Sequence, residues 1–194
     1  MILVDLADLP EAARDAAAEL LVDGFREHWP NAWPDLGSAR EEVDEALEPE
    51  KLCRAAIDEV GRVLGWIGGI PGYDGNVWEL HPLVVARAEQ RKGIGRTLVD
   101  DLEARVAERG GLTLWLGTDD EDDMTSLAGV DLYDGLLARL ANVEDRKGHP
   151  FGFYQRCGFV VAGVVPDANG HGKPDILMAK RVDPRYVKRD LLER

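Results

Sequence analysis

The sequence predicts an α/β fold with a mixed sheet, and three features near its middle support this. An apolar, β-like run covers Val77–Val85 and leads into a glycine-broken loop. Apolar residues then recur at helical spacing, as at Ile94, Leu98 and Leu102. A second apolar run follows at 112–116. Strand, loop, helix and strand in this order form a βαβ unit, whose strands are parallel and joined by a right-handed crossover.

The other predicted elements lie on both sides of this unit. Before it, the pattern predicts a strand at 1–7, a helix at 10–25, a short helix from Ser38 to Leu47 with Glu41 completing a capping box, and hairpin strands at 52–57 and 62–70. After it come an inserted helix at about 132–142, a short helix at 150–157, and antiparallel strands at 159–165 and 175–180. We expect one domain over 1–182 and a charged tail at 183–194 with no assigned role.

Length and charge limit the classes of function. The chain has 194 residues and a formal net charge of -14. This acidity argues against nucleic acid and anionic membranes as partners and is compatible with a cationic substrate, although a solubilising surface is the alternative. Two cysteines are too few for a disulfide framework or a zinc site, and no metal is implied. We expect a cytoplasmic protein, because neither a signal peptide nor a membrane-spanning run is evident.

The loop before the central helix has the composition of an anion site. Residues 90–96 read QRKGIGR, so a helix begins at a glycine-rich turn. Backbone N–H groups at a helix N-terminus favour anions, and Arg91, Lys92 and Arg96 add positive charge. A phosphate or pyrophosphate is the expected ligand. The motif lacks the third glycine of the dinucleotide fingerprint, where Leu98 stands, and an ordinary glycine-rich helix start remains the alternative.

The loop and several longer blocks resemble a known enzyme family. The QRKGIG motif is similar to the acetyl-CoA pyrophosphate loop of the GCN5-related N-acetyltransferases. WELHPLVV at 78–85, GGLTLWLGTDD at 110–120, HPFGFYQRCGF at 149–159 and PDANGHGKPDILMAK at 166–180 resemble, in the same order, aminoglycoside 6'-N-acetyltransferases of the chromosomal enterococcal kind. The resemblance implies the acetyltransferase fold with a splayed central pair of parallel strands, acetyl-CoA as co-substrate, and a homodimer.

The resemblance also implies roles at the reaction centre. Glu79 and His81 alternate on a strand and therefore share a face. Glu79 is expected to take the proton of the substrate ammonium, directly or through water, or to hold the ammonium electrostatically. His81 is expected to orient substrate, relay a proton or simply pack. Pro82 marks a strand bulge in the family, after which the Leu83 N–H faces the thioester carbonyl. Tyr154 is expected to protonate the leaving thiolate or to donate a hydrogen bond to it, with a core aromatic as the alternative.

Further residues complete the expected ligand sites. The cofactor is expected to contact Leu83, Val84 and Val85, then Gln90, Arg91, Lys92, Gly93, Ile94, Gly95, Arg96 and Thr97, and also Tyr154. The substrate wall is expected to include Trp29, Trp33, Glu79, His81, Asp119 and Asp120. The acidic run 119–123 follows the second parallel strand at its carboxyl end, where ligands of open α/β sheets bind. For the acidic run, the alternative is a set of charges that caps a following helix. For Trp29 and Trp33, the alternative is that their rings only pack the loop 28–34 against the protein.

Two rivals to aminoglycoside 6'-N-acetylation stay open. In the first, the same chemistry acts on a polyamine, another small amine or a protein amino group. In the second, the protein binds acyl-CoA or a cationic drug without turnover. The joint presence of Glu79, Leu83 and Tyr154 argues against the second.

Overall fold

This computed structural model describes residues 1–183, which form both strands and helices. The strands are β1 Ile2–Asp5, β2 Leu52–Ile57, β3 Val63–Gly72, β4 Val77–Val85, β5 Thr113–Asp119, β6 Val160–Val165 and β7 Asp175–Arg181. The helices are α1 Glu11–Phe25, α2 Leu36–Ala46, α3 Ile94–Glu108, α4 Leu136–Ala141 and α5 Phe151–Arg156. None of the helices within residues 1–183 is long and apolar enough to cross a membrane. Contacts divide the described residues into a first unit, 1–114 with 182 and 183, and a second unit, 115–181.

In the first unit, helices cover both faces of antiparallel strands in the order β1-β2-β3-β4. Strand β2 shows why, because its alternate residues serve different helices. Cys53 and Ala55 belong to the apolar cluster that includes α1 and α2. Arg54, between them, donates through Nε to Asp101 of α3 at 2.7 Å. The α1 face is fixed further by fully buried Trp66, whose indole N–H donates to the Ala17 carbonyl of α1 at 3.0 Å.

Strand β4 is bulged in the middle. Two of its residues, His81 and Pro82, lie opposite the single residue Gly68 of β3. An extra residue reverses the alternation of side chains along a strand. Trp78, before the bulge, accordingly lies beside α3, whereas Val84, after it, packs against α1. The bulge expected at Pro82 is confirmed, and it changes which side chains of β4 face the helices α1 and α2.

The second unit contains β5 from Trp115 onward, then β7 and β6 in the order of the sheet, and the two short helices α4 and α5. The predicted antiparallel pairing of β6 with β7 is confirmed. The inserted helix α4 is shorter than predicted, because it starts at Leu136 rather than near Leu132. Leu132 is buried within the turns that precede the helix, so its hydrophobicity reflects packing rather than a helical repeat.

The cap predicted for α2 is wrong. The N-cap is Asp35, whose Oδ1 accepts from the Ser38 N–H at 2.9 Å. Ser38 lies inside the first turn and donates its hydroxyl to the Asp35 carbonyl at 3.0 Å. Aspartate is as good an N-cap as serine, and Asp35 lies three residues before Ser38. The Ser38 and Glu41 pattern therefore predicted a helix start about one turn too late.

The predicted α/β class with a mixed sheet is confirmed, as are the hairpin of β2 with β3 and the helix after the glycine loop. The splay of the central strands and the single-domain boundary at residue 182 stay predictions. Apart from Asp183, the predicted tail lies outside the described residues.

Candidate active site

His81 lies in a cluster built from three segments of the first unit. Its Nε2 is 3.6 Å from Oε1 of Glu42 on α2. Its ring centroid is 5.8 Å from that of Trp33, which follows α1. The charge of Glu79, two residues away on β4, also acts on the imidazole. The structure therefore brings together three residues that the sequence proposed, Glu79, His81 and Trp33, and adds Glu42 to them.

The charge of His81 depends on this cluster. Burial alone would lower the pKa of the imidazole, but the hydrogen bond and charge of Glu42 outweigh that effect, and the charges of Glu79 and Glu45 add to it. The net result is a raised pKa, which favours the imidazolium. The side chain is still 42% exposed, so a ligand at the surface can reach it.

The loop 28–34, which contains Trp29 and Trp33, is packed against the end of α1. The ring of Phe25 contacts Trp33 edge-on, with centroids 4.6 Å apart, and Trp29 at 5.7 Å. Trp33 is buried and belongs to the apolar core, while Trp29 is half-buried. Trp33 therefore mainly packs the core, as the alternative interpretation of this loop expected. Only its edge near His81 adjoins the candidate site.

The glycine-rich loop leads into α3 without a side-chain cap. Gly93 is the N-cap and has φ 90°, in the left-handed region that favours glycine. No atom lies within 4 Å of the position a β-carbon would take there. The first N–H groups of a helix have no partner inside the helix. An uncapped N-terminus with open space beside it is compatible with a pyrophosphate, and the cofactor role of this loop stays a prediction.

Side chains of the loop stabilise this conformation. Gln90 donates its amide to the Val85 carbonyl at 3.1 Å, which ties the loop to the end of β4. Thr97 donates its hydroxyl to the Gly93 carbonyl at 3.2 Å. Lys92 pairs with Glu89 at 3.0 Å.

The remaining loop residues divide between surface and core. Arg91 and Arg96 are exposed, Gly95 is half-buried, and Ile94 is buried at the start of α3. On β4, Leu83 and Val85 are half-buried and Val84 is buried against α1. Val84 can therefore serve a ligand through its backbone rather than its side chain.

The two acidic residues proposed for the substrate wall have different surroundings in the second unit. Asp119 is half-buried, and its carboxylate accepts from the Asn169 side chain. Asp120 is fully buried, and its two oxygens accept from the N–H groups of Met124 at 2.7 Å and Thr125 at 2.8 Å. Asp120 thus anchors the turn after β5, and Asp119 is the one with surface exposed.

Tyr154 lies on α5 between Phe153 and Phe159, with ring centroids 5.1 and 5.7 Å away. Burial, with a smaller contribution from the charge of Cys157, raises the pKa of the phenol above its usual value. Tyr154 is therefore a neutral phenol near pH 7 and has a proton to donate. Its aromatic contacts also agree with the alternative role as a packing residue.

His149 precedes α5 and has a structural role. It is buried, its Nδ1 accepts from the Phe151 N–H at 3.2 Å, and its Nε2 lies 3.1 Å from the Asp119 carbonyl oxygen. This pattern sets Nε2 as the protonated nitrogen. Burial lowers the pKa of this imidazole, which favours the neutral form. His149 thus links α5 to the end of β5.

Sequence reasoning missed two residues of these clusters. Glu42 follows Ala39 by three residues and precedes Ala46 by four, so it lies on the apolar stripe of α2. A carboxylate among the apolar positions of a helix can mark a functional residue in a sequence. Glu42 was overlooked because the same segment contains several other acidic residues. Asn169, the partner of Asp119, lies in a loop where only the resemblance marked the segment.

The fold, with a glycine-rich loop before an uncapped helix start, is that of an acyl-group transferase. A family model described as "Acetyltransferase (GNAT) family" matches residues 14–129. The chain belongs to the GNAT family of acetyltransferases, as its motifs predicted.

Solved structures of similar proteins cover nearly the whole chain. An aminoglycoside 6'-N-acetyltransferase complexed with coenzyme A is 41% identical, with a TM-score of 0.87, over 95% of this chain and 99% of that one. The aminoglycoside 6'-N-acetyltransferase from Enterococcus faecium is 39% identical, with a TM-score of 0.85 and the same coverage. An aminoglycoside 6'-acetyltransferase type Ii is 38% identical, with a TM-score of 0.71 and again the same coverage. No curated protein sequence matched the chain.

Proposed function

We propose that this protein is an aminoglycoside 6'-N-acetyltransferase, which transfers an acetyl group from acetyl-CoA to a primary amine of an aminoglycoside. The supporting observation is the similarity at 41% identity, over 95% of this chain, to an enzyme of that activity. Family membership supports the use of acetyl-CoA, and the uncapped helix start at Gly93 fits its pyrophosphate.

The chain's own residues supply the steps around the acyl group, which the thioester of acetyl-CoA provides in activated form. Glu79 takes the proton of the substrate ammonium, directly or through water, so that the amine can attack. The Leu83 N–H stabilises the negative charge that develops on the carbonyl oxygen. Tyr154 protonates the departing thiolate or donates a hydrogen bond to it, since its raised pKa keeps the phenol protonated near neutral pH.

The substrate site is proposed to be acidic and partly aromatic. Glu79 and Asp119 offer carboxylates to ammonium groups, Trp29 offers ring surface, and the largely buried Trp33 offers its edge near His81. The net charge of -14 adds long-range attraction for a polycation. Asp120 is assigned to shaping the turn that presents Asp119, because both of its oxygens are engaged by backbone N–H groups.

We also propose a cytoplasmic homodimer that binds neither nucleic acid nor membrane. In the second unit, β6 is the last strand of its sheet order, and the exposed apolar residues Val160 and Leu137 lie along it and on α4. A second copy would shield this surface from water. Sedimentation equilibrium should give twice the chain mass, and a monomer at all concentrations would contradict the dimer.

Thiol release from acetyl-CoA with a panel of amines tests the function. The panel includes aminoglycosides with and without a 6'-amine, polyamines, small amines and peptides. We expect turnover only with aminoglycosides that have the 6'-amine, and an acetamide at that position by NMR of the product. Turnover confined to polyamines or peptides would assign a different acceptor, and binding without thiol release would assign a non-catalytic role.

A further inference from the structure

Glu42 is a carboxylate in an apolar place. It lies on the face of α2 that buries Ala39, Val43 and Ala46, and its side chain is only 19% exposed. A charged group is seldom buried to this extent without partners, because it gives up its hydration. The partners of Glu42 therefore indicate why it stands there.

Glu42 joins two segments of the candidate site. Its Oε1 lies 3.6 Å from Nε2 of His81 on β4, and it accepts a hydrogen bond from the Trp33 side chain. The rings of Trp33 and His81 also contact each other, with centroids 5.8 Å apart. One carboxylate thus fixes the imidazole and the indole, and both groups were expected to face substrate.

The charge of Glu42 is maintained in this place. Burial alone would raise the pKa of its carboxyl group, but the hydrogen bond and charge of His81, the hydrogen bond of Trp33 and the charge of Lys51 outweigh burial and lower it. The neighbouring Cys53 thiol has a raised pKa of about 12 and stays neutral. Near neutral pH the cluster therefore presents a carboxylate to the imidazole.

We infer that Glu42 is a positioning residue. It holds the Nε2 side of the His81 imidazole, so that the ring keeps its proton and donates a hydrogen bond to the substrate that receives the acetyl group. The inference rests on the proposed function for the identity of that substrate. With Nε2 turned to α2, Nδ1 is the ring nitrogen left for a hydroxyl or ring oxygen of an aminoglycoside. As long as the imidazolium keeps its proton it cannot take one from the amine, which agrees with Glu79 as the proposed base.

The pH dependence follows from the groups around the ring, which are Glu42 and Glu45 on α2 and Glu79 on β4. Because they raise the pKa of His81, donation by the imidazolium is present below that pKa and is lost as pH rises through it. In Glu42→Gln the pKa of His81 falls, so this loss should occur at lower pH. The matched control is Glu41→Gln on the exposed side of α2.

Two measurements test the inference. NMR titration of the His81 ring needs no turnover, and it should show a lower pKa in Glu42→Gln and no change in Glu41→Gln. In acetylation assays, Glu42→Gln should raise the aminoglycoside KM by about tenfold or more, as for a lost hydrogen bond to a charged group. Its kcat/KM should decline at lower pH than that of the wild type. If the wild type acetylates a different amine, the same KM comparison is made with that amine.

A double variant separates positioning from simple support of the fold. Glu42→Gln should add little to the KM of His81→Gln, because both changes remove the same donor. Additive losses, an unchanged pKa of His81 in Glu42→Gln, or a faster rate at neutral pH in that variant would each overturn the inference. If Glu42→Gln fails to fold, Glu42→Asp keeps the charge at a shorter reach, and wild-type KM and pKa values there would also overturn it.

Discussion

Gly68 of β3 lies against the carbonyl oxygen of His81, so close that a β-carbon on Gly68 would overlap that oxygen and contact the Pro82 ring. The bulge of β4 therefore needs a glycine opposite it. Gly68→Ala should push the two strands apart, lower the free energy of unfolding by about 1–3 kcal/mol as overpacking does, and displace Glu79 and His81. Denaturant unfolding and acetylation rates measure both effects.

Gly72 provides the matched control for this change. It lies on the same strand, and the nearest atom to a β-carbon there is the Val77 carbonyl oxygen at an ordinary 3.6 Å. Gly72→Ala should keep the stability and activity of the wild type. Equal behaviour of Gly68→Ala and Gly72→Ala would mean that the bulge does not depend on the missing side chain.

The start of α3 should bind the acetyl-CoA pyrophosphate. Gly95→Asp places a carboxylate in the first turn, where it occupies the positive end of the helix and repels phosphate. Like charges about 4 Å apart repel by roughly 1–4 kcal/mol, so acetyl-CoA affinity should fall about tenfold or more. Calorimetry measures the affinity, and circular dichroism checks that the fold is retained.

The control for Gly95→Asp adds the same charge elsewhere. Gly61 lies in the exposed turn between β2 and β3, and no atom lies within 4 Å of a β-carbon built there. Gly61→Asp should leave acetyl-CoA affinity unchanged. If the two variants bind acetyl-CoA equally well, the pyrophosphate does not bind at this helix start.

Sequence reasoning located the elements of this fold well where periodicity or glycine was decisive. Strand β4 was predicted with its observed ends, and so was the start of α3 at Ile94. Local patterns were insufficient where two nearby residues could perform one task, as when Asp35 rather than Ser38 capped α2. A prediction was therefore accurate where one residue pattern fitted the segment, and inaccurate where two residues could each serve as the N-cap.

The site was harder to predict than the fold, because side-chain roles depend on contacts between distant segments. Asp119 and Asp120 are adjacent aspartates in one acidic run, and the sequence does not distinguish them. The structure shows that Asp119 is half-buried and Asp120 is fully buried. Glu42 and His81 are 39 positions apart, and no periodicity relates them. Their pairing depends on how α2 packs on β4.

Asp119 should attract the cationic substrate, and Asp120 should not. Attraction between exposed charges is screened over a Debye length of roughly 10 Å at 0.1 M salt. Asp119→Asn should therefore raise the aminoglycoside KM at low salt and reduce its dependence on ionic strength, with little effect on the acetyl-CoA KM. Steady-state kinetics over a salt series measure this. Equal responses of both KM values would rule out a substrate-specific role.

Asp120→Asn is the contrasting variant. An amide can accept from only one of the two N–H groups of Met124 and Thr125, because its NH₂ group is a donor. A buried donor left without its partner costs about 1–3 kcal/mol, so this variant should lose stability. Thermal unfolding would detect the loss, and an unchanged Tm would mean that these hydrogen bonds contribute little.

Tyr154→Phe should slow the departure of the thiolate. The change keeps the ring contacts with Phe153 and Phe159 but removes the phenolic proton. Single-turnover acetylation should be slower, while aminoglycoside affinity and stability stay close to those of the wild type. Phe153→Leu is the matched control for packing, since it disturbs the same aromatic group and leaves the phenol. If only Phe153→Leu impairs the reaction, Tyr154 is a packing residue.

Glu79→Gln should separate a catalytic base from an electrostatic anchor. The amide keeps the shape of the side chain but removes its charge and basicity, and loss of a general base costs about 10²–10⁴ in rate. If Glu79 is the base, kcat falls and the pH profile changes. If it only holds the ammonium, KM rises and kcat is nearly kept. Product release can conceal a chemical defect in steady-state rates, so the single-turnover rate is the deciding measurement. Glu59→Gln, in the exposed turn before β3, is the charge-matched control. A wild-type single-turnover rate in Glu79→Gln would assign the base to another residue.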